Sequence, residues 1–327
     1  MRLGIVGTGS IVRSLGPHLA EWEIEVGAIS GTPRSVIQTE RLADQLGVTV
    51  RYSNYHDLVA DQTIDTVYVA VPNHLHYEVA EAAMRAGKDV ICEKPLASNE
   101  REARRLANLA KKLGVFLWEA VVTTHQPNFG VVRDMLPRIG TVKEASVNFS
   151  QYSSRYDSFR AGKVKPVFNV KKSGGAIMDL GLYTITFTVG LFGEPKSVTY
   201  LPNIERGIDT SGLIVYRYDG FSVTNICAKD SWGSTGIMIQ GTDGCIKSDA
   251  GPTLAGPVTL YLNNKEYETV DKSNKVMWEG EFLEFLRQQN ESDFGACFRQ
   301  IDQSVLVSRI QSSCRRAAGI IFPADEA

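Results

Sequence analysis

Leu3-Gly4-Ile5-Val6-Gly7-Thr8-Gly9-Ser10-Ile11-Val12 reads as an apolar run, a glycine-rich turn and the start of a second, longer segment. A strand that enters such a turn and leaves it as a helix is the context of a dinucleotide-binding loop. Gly7 permits the tight turn and Gly9 lets the backbone approach a pyrophosphate. The helix start, through Thr8, Ser10 and Ile11, faces its charge. Val12 stands where the fingerprint has its third glycine, and Gly16-Pro17 is expected to kink or shorten the helix. Alone, the pattern is equally a tight strand-to-helix turn; its place at the head of a strand-helix series selects the cofactor reading.

That series occupies the first 120 residues. Short β-branched runs at 3–6, 25–30, 66–71, 89–92 and 116–119 alternate with amphipathic segments at 39–46, 77–86 and 99–113. The rhythm predicts parallel strands joined by crossover helices, a doubly wound α/β sheet of Rossmann type. Gly47, Gly87 and Gly114 stand where helix ends need a left-handed residue, and Asn99 with Glu102 reads as a capping box. After about residue 140 the runs 142–152, 212–218, 221–228, 235–240 and 258–262 are separated by Asp219-Gly220, Asp243-Gly244 and Asn263-Asn264. Such turns predict a large, mostly antiparallel open sheet. Helices are expected at 278–289 and around Ile301, Val305, Ile310 and Cys314. Two domains follow: a dinucleotide-binding domain over 1–120 and an α+β domain for substrate and dimerisation over 121–327.

Composition narrows the partners. Of 327 residues, 43% are hydrophobic and 22% charged, which excludes the disordered and membrane classes. Lys+Arg 35 against Asp+Glu 37 leaves a net charge of −2, so no basic field suits nucleic acid. Cys92, Cys227, Cys245, Cys297 and Cys314 lie far apart, in neither metal-site nor disulfide-scaffold spacing, and read as thiols of a reducing compartment. The glycine-interrupted N-terminus is unlike a signal peptide, and no stretch is long and apolar enough to span a bilayer. A cytoplasmic location is expected. His74 and His76 alternate in a loop without companion ligands, so no metal site is expected.

The end of the second strand bears on cofactor choice. An NAD site places a carboxylate there for the ribose 2′-hydroxyl, whereas a 2′-phosphate takes small polar groups and a cation. Ser30-Gly31-Thr32-Pro33-Arg34 has no acid before Glu40. NADP is favoured over NAD, with Ser30, Gly31, Thr32 and Arg34 around the phosphate; otherwise Arg34 is a solvated surface residue.

Cys92-Glu93-Lys94-Pro95-Leu96, Val71-Pro72-Asn73 with His76, and Gly174-Gly175-Ala176-Ile177-Met178-Asp179-Leu180-Gly181-Leu182-Tyr183 resemble, in order, three motifs of the Gfo/Idh/MocA oxidoreductases: EKP, a loop beside the nicotinamide, and GG…DxGxY/H. Tyr183, the run Phe116-Leu117-Trp118-Glu119-Ala120 and the closing Ile321-Phe322-Pro323 look most like the dimeric dihydrodiol dehydrogenase branch. Thr123-Thr124-His125-Gln126-Pro127 departs from that branch's arginine and aromatics. The resemblance implies a cis bond before Pro95, cofactor contacts from Val71, Pro72, Asn73, His76, Glu93 and Lys94, and homodimers through the second domain's sheet.

Hydride transfer at a carbinol or carbonyl needs a coupled proton donor or acceptor. Asp179 and Tyr183 are spaced i, i+4, on one helix face. Tyr183 is the expected acid/base, with the Lys94 ammonium lowering its pKa and polarising the substrate oxygen. Asp179 holds a substrate hydroxyl or orients the other two, and His125 either touches substrate or makes a structural hydrogen bond. The plain readings of the trio are a surface lysine, a core tyrosine and a helix-capping aspartate. The expected function is NADP-dependent oxidation or reduction of a small sugar, polyol or dihydrodiol. The rivals are a silent NADP(H)-binding sensor and a glycosidic elimination assisted by transient oxidation.

Overall fold

The opening apolar run forms β1 (Arg2–Val6), and the chain continues through α1 (Ser10–Leu19), β2 (Glu25–Ser30), α2 (Val36–Leu46), β3 (Val50–Tyr52), α3 (Tyr55–Ala60), β4 (Thr66–Val69), α4 (His76–Arg85), β5 (Asp89–Glu93), α5 (Glu100–Leu113) and β6 (Leu117–Ala120). The structure, a computed structural model, describes residues 1–326. Its contacts divide the chain into two units: Met1–Ala120 with Glu281–Val305, and Val121–Gly280 with the residues from Leu306 onward.

In the first unit all six strands are parallel, in the order β3-β2-β1-β4-β5-β6. This is the doubly wound sheet expected from the alternation. β4 is buried at every position, as a strand covered on both faces requires. Val6 pairs with Ser30 and Val69, Val69 with Cys92, and Glu93 with Ala120. The segments after the strands therefore leave the sheet along one edge, and the order reverses between β1 and β4, where open α/β sheets bind ligands.

Two local features differ from expectation. β3 is an additional strand, three mostly exposed residues at the sheet margin, with too little apolar patterning to be read. α1 holds Pro17 within it and runs on to Leu19, so the proline neither ends nor shortens the helix, although it has no amide to give the Arg13 carbonyl. Gly16 explains its own presence: a Cβ there would lie 2.9 Å from Leu46 Cδ2 of α2. Val12, at the third-glycine position, is 1% exposed and packs as core. At α5, Asn99 Oδ1 accepts from the Glu102 amide at 3.0 Å, while the Glu102 carboxylate accepts from the Ser98 amide at 3.0 Å.

The second unit contains α6 (Pro127–Met135), β7 (Val142–Ser150), α7 (Tyr156–Arg160), α8 (Ala176–Phe192), β8 (Ser197–Glu205), β9 (Ile208–Arg217), β10 (Ser222–Ala228), β11 (Gly236–Gly241), β12 (Gly244–Ser248), β13 (Val258–Leu262) and β14 (Tyr267–Val270). One eight-stranded sheet runs β14-β13-β12-β11-β7-β10-β9-β8, antiparallel except where β7 lies parallel to β10. Asp219-Gly220, Asp243-Gly244 and Asn263-Asn264 join hairpins, as their chemistry predicts. α8 is apolar around most of its circumference and packs Ile177, Leu182, Ile185 and Phe187 into a core with Val147, Ile214, Tyr216 and Val223 from the sheet.

α9 (Glu279–Glu291) and α10 (Phe294–Ala317) close the sequence, before a last turn α11 (Pro323–Glu326). Residues 121–327 were expected to form one domain, yet Glu281–Val305 packs with the first unit. Trp118 Nε1 donates to Gln288 Oε1 at 2.7 Å, and Gln289 Nε2 donates to Thr66 Oγ1 and Asp89 Oδ2 at 2.9 and 2.8 Å. Phe282 stacks on Trp22 and meets Tyr68 edge-on. An amphipathic helix announces that it needs a core, without announcing which one. Among the described residues no helix is long and apolar enough to cross a membrane.

Candidate active site

The glycine turn is shaped by backbone proximity. Gly7 has φ +120°, and a Cβ there would lie 2.1 Å from the Ala70 carbonyl oxygen, so no side chain fits. Its amide donates to the Ser30 carbonyl at 2.9 Å, tying the turn to β2. Gly9 is the N-cap of α1, and a Cβ on it would meet nothing within 4 Å. α1 has no side-chain cap and no acid in its first turn, leaving amides and the positive end of the helix for an anion. Arg13 Nη1 bonds the Thr8 carbonyl at 2.8 Å and steadies the loop; Ser10 and Ile11 open the helix. These features suit a dinucleotide pyrophosphate.

At the end of β2, Thr32 and Arg34 are exposed, and the next acid is the exposed Glu40. Thr32 and Ser35 form a reciprocal cap, with the Thr32 amide donating to Ser35 Oγ at 2.8 Å, so the turn is fixed. Gly31 is needed for packing, since a Cβ would lie 2.1 Å from Thr39 Oγ1. Ser30 differs from expectation: it is 1% exposed and its hydroxyl points back at the Gly31 carbonyl, 3.5 Å away. The outward-facing groups are a hydroxyl and a guanidinium.

His76 also differs from expectation. It is 1% exposed at the start of α4, with Nδ1 2.7 Å from the Pro95 carbonyl and Nε2 2.8 Å from the Val71 carbonyl. Both nitrogens are committed to backbone, so His76 joins the Val71-Pro72-Asn73 turn to the Lys94-Pro95 turn instead of reaching outward. Burial pushes its pKa below the usual histidine value. The Lys94–Pro95 bond is cis.

Lys94 stands among acids. Glu93 Oε1 accepts from the Tyr68 hydroxyl at 2.6 Å, and burial pushes its carboxyl up. Glu119, buried on β6, accepts from the Leu96 amide at 2.7 Å and is pushed up by burial to about 7. Glu281 is 1% exposed; burial, then the charges of Glu93 and Glu119, push it well above the ordinary carboxylate range. Lys94 opposes part of this, since its charge lowers both Glu93 and Glu119. The signal for Glu119 was present as one acid inside the apolar run 116–120; Glu281 had none.

In the second unit, α8 carries Asp179 and Tyr183 one turn apart. Asp209, fully buried on β9, anchors the start of that helix: its Oδ2 accepts from the Ile177 amide and the Tyr200 hydroxyl, each at 2.7 Å. Gly175, at φ +118°, admits Asp209 Oδ1, which would lie 2.2 Å from a Cβ. Asp179 pairs with Lys229, which follows β10; their side chains are 27% and 7% exposed. The Tyr183 ring meets Phe149 edge-on at 5.5 Å. His125 Nδ1 lies 3.1 Å from the Val121 carbonyl, a local backbone contact of the structural kind. Lys94 belongs to the first unit, Asp179 and Tyr183 to the second. Lys229 and Asp209 were missed in the sequence, since neither lies in a motif and each meets α8 only through the fold. Among the described residues no cluster of three or more His, Cys, Asp or Glu is arranged for a metal.

Comparison with known proteins agrees with this architecture. Residues 1–121 match the description "Oxidoreductase family, NAD-binding Rossmann fold", and residues 133–247 match "GFO/IDH/MocA C-terminal domain". A scyllo-inositol 2-dehydrogenase (NADP(+)) of Bacillus subtilis is 34% identical over the whole of both chains. The mouse trans-1,2-dihydrobenzene-1,2-diol dehydrogenase is 25% identical, over 100% of this chain and 99% of its own. A 3-ketoreductase from Actinomadura kijaniata, solved with NADP and TDP-benzene, superposes with a TM-score of 0.82 at 22% identity, covering 97% of each chain. The chain belongs to the GFO/IDH/MocA family of oxidoreductases.

Proposed function

We propose that this protein is an NADP-dependent dehydrogenase or reductase acting on a CH–OH group of a small sugar, polyol or dihydrodiol. The observation that carries the reading is the convergence, along one edge of a parallel sheet, of the Gly7–Gly9 turn, the exposed Thr32 and Arg34, and the Glu93-Lys94-Pro95 turn. It is supported by end-to-end likeness to an NADP-linked inositol dehydrogenase.

NADP, when bound, supplies the hydride acceptor or donor. Gly7, Thr8, Gly9, Ser10 and Ile11 would hold the pyrophosphate, and Thr32 and Arg34 would hold the 2′-phosphate, with Gly31 making room in the turn. Val71, Pro72 and Asn73 would border the nicotinamide end, with His76 bonded to the Val71 and Pro95 carbonyls and Glu93 to the Tyr68 hydroxyl. Lys94 donates a hydrogen bond to the reacting oxygen and draws electron density from it. Tyr183, in the second unit, would give a substrate oxygen its proton in reduction and take it in oxidation. Asp179 accepts from a further substrate hydroxyl.

A panel of polyols, sugars and their keto forms, followed by nicotinamide absorbance with NADP(H) and NAD(H), tests this. Steady turnover with NADP(H) is expected. Tight NADP(H) binding without turnover of any member would leave a sensor, and product release with no net absorbance change would leave an elimination.

We also infer a homodimer through the eight-stranded sheet. Leu201 of β8 and Ile226 of β10 are 58% and 40% exposed, and through Leu213 they form a continuous apolar row across three strands. Sedimentation should give twice the monomer mass, and Leu201→Glu with Ile226→Glu should give the monomer.

A further inference from the structure

Lys229 is a cation where cations are rarely found. Its side chain is 7% exposed, and its backbone is held on both sides: the amide donates to the Thr210 carbonyl and the carbonyl accepts from the Ser153 amide, each at 2.9 Å. This clamp aims the side chain at α8, where Nζ pairs with Asp179 Oδ2. A buried ammonium requires an anion, and the loss of either partner leaves the other charge poorly solvated. The neighbouring acid does not compete, because Asp230 is occupied by the hydroxyls of Thr210, Ser211 and Ser231.

The same pairing decides what Asp179 can recognise. As an anion it only accepts hydrogen bonds; as a neutral acid it would also donate. Held in the first form, one helical turn before Tyr183, it presents a fixed acceptor beside the group that exchanges a proton with the reacting oxygen. A substrate that satisfies both carries a hydroxyl in addition to the reacting oxygen. The inference rests on the reading that Tyr183 and Asp179 face substrate.

We propose that Lys229 is a positioning residue that holds Asp179 as an oriented anion, and that this pair selects substrates with a second hydroxyl over compounds with one oxygen function. Cys227 on β10 interacts electrostatically with Lys229, Asp230 is its neighbour in the chain, and Tyr183 lies one turn along α8 from Asp179.

The test uses the full-length protein, with Lys229→Met and Lys229→Arg. The Asp179 carboxyl carbon is followed by 13C NMR against pH without substrate. Its midpoint should rise in Lys229→Met and return toward wild type in Lys229→Arg. In parallel, each active diol is compared with its deoxy analogues, each lacking one hydroxyl besides the reacting one. Lys229→Met should raise KM for the diol about 10- to 100-fold with a smaller change in kcat, and abolish the preference over the deoxy analogue; Lys229→Arg should keep it. An Asp179 midpoint unmoved in Lys229→Met would overturn the proposal whatever the activity, and so would a diol preference that survives the substitution. A wild type that turns over nothing would count against the proposed function alone, and the NMR titration would still decide whether Lys229 holds Asp179 as an anion.

Discussion

The first unit prepares its ligand edge mainly with backbone, the second with side chains. Gly7 lies where no Cβ fits, α1 presents uncapped amides, and the Thr32 turn is closed by its own short cap. α8 instead presents two side chains, and residues distant in sequence hold it: Asp209 of β9 at its start and Lys229, after β10, against Asp179. A backbone site is encoded in contiguous residues, whereas a side-chain site draws its support from residues remote in sequence. The first therefore tolerates little change at a few glycines, and the second can be retuned from positions that no motif contains.

The largest effect should fall on the chemistry of α8. Tyr183→Phe removes the exchangeable proton and no cofactor contact, so kcat should drop about 10²- to 10⁴-fold with NADP(H) affinity nearly unchanged. Single-turnover kinetics with a cofactor titration measure both. A wild-type kcat would move the proton to another group and leave α8 as a binding surface only. Lys94→Ala should lose at least as much; a rise in KM alone would make Lys94 a binding residue.

Gly7→Ala attacks the backbone side of the contrast. With a carbonyl oxygen 2.1 Å from the new Cβ and φ at +120°, β1 and β4 must separate or the turn must rearrange. A cost of roughly 3 kcal/mol or more is expected from the strained conformation and the overlap together. Urea unfolding and NADP titration should both register it, while Gly9→Ala, with open space around it, should lower cofactor affinity and leave stability nearly intact.

This contrast also explains what could be read in advance. The glycine turn, the parallel strands, the α5 cap and the hairpin turns are local, and each residue involved sits within a few positions of its partner. β3 escaped notice because three exposed residues carry no pattern, and the return of Glu281–Val305 to the first unit because amphipathic helices do not name their core. Ser30 and His76 read as cofactor contacts, yet side-chain direction comes from packing: one is sealed beneath the turn and the other spans two carbonyls. Lys229, Asp209 and Glu281 are visible only once strands and helices are assembled.

Glu119 sharpens the comparison, because it is side-chain support hidden behind a backbone edge. Its folded pKa is raised from 4.5 to about 7 by burial, so the folded state resists ionising it. Stability from the protonated form is complete below about pH 4.5 and is lost as pH rises through 7. Glu119→Gln mimics the neutral acid and should be more stable than wild type by roughly 2 to 3 kcal/mol at pH 8, and nearly equal at pH 4. Denaturant melts at the two pH values measure the difference. His76 runs the opposite way: its lowered pKa gives stability present above about pH 6.5 and lost on acidification, so Glu119→Gln should expose an acid-side decline that the wild type partly masks.

The smallest effect tests whether any side chain matters to cofactor choice on the first unit's edge. Arg34 is exposed, so its charge acts through water and salt, and a 2′-phosphate contact from such a position sits at the low end of charge-assisted bonds. Arg34→Ala should weaken NADP by about 1 to 2 kcal/mol, roughly 5- to 30-fold, and leave NAD unchanged. The loss should shrink as salt is raised, which a purely steric defect would not do. Ser30→Asp provides the contrast. Because Ser30 is 1% exposed, a carboxylate there enters a closed space, so it should cost stability as well as repel the phosphate. Titrating both dinucleotides into wild type and the two variants at low and high salt separates the cases. Equal losses for NADP and NAD in Arg34→Ala, or tighter NAD than NADP binding in the wild type, would leave cofactor choice to the backbone and overturn the role assigned to Arg34.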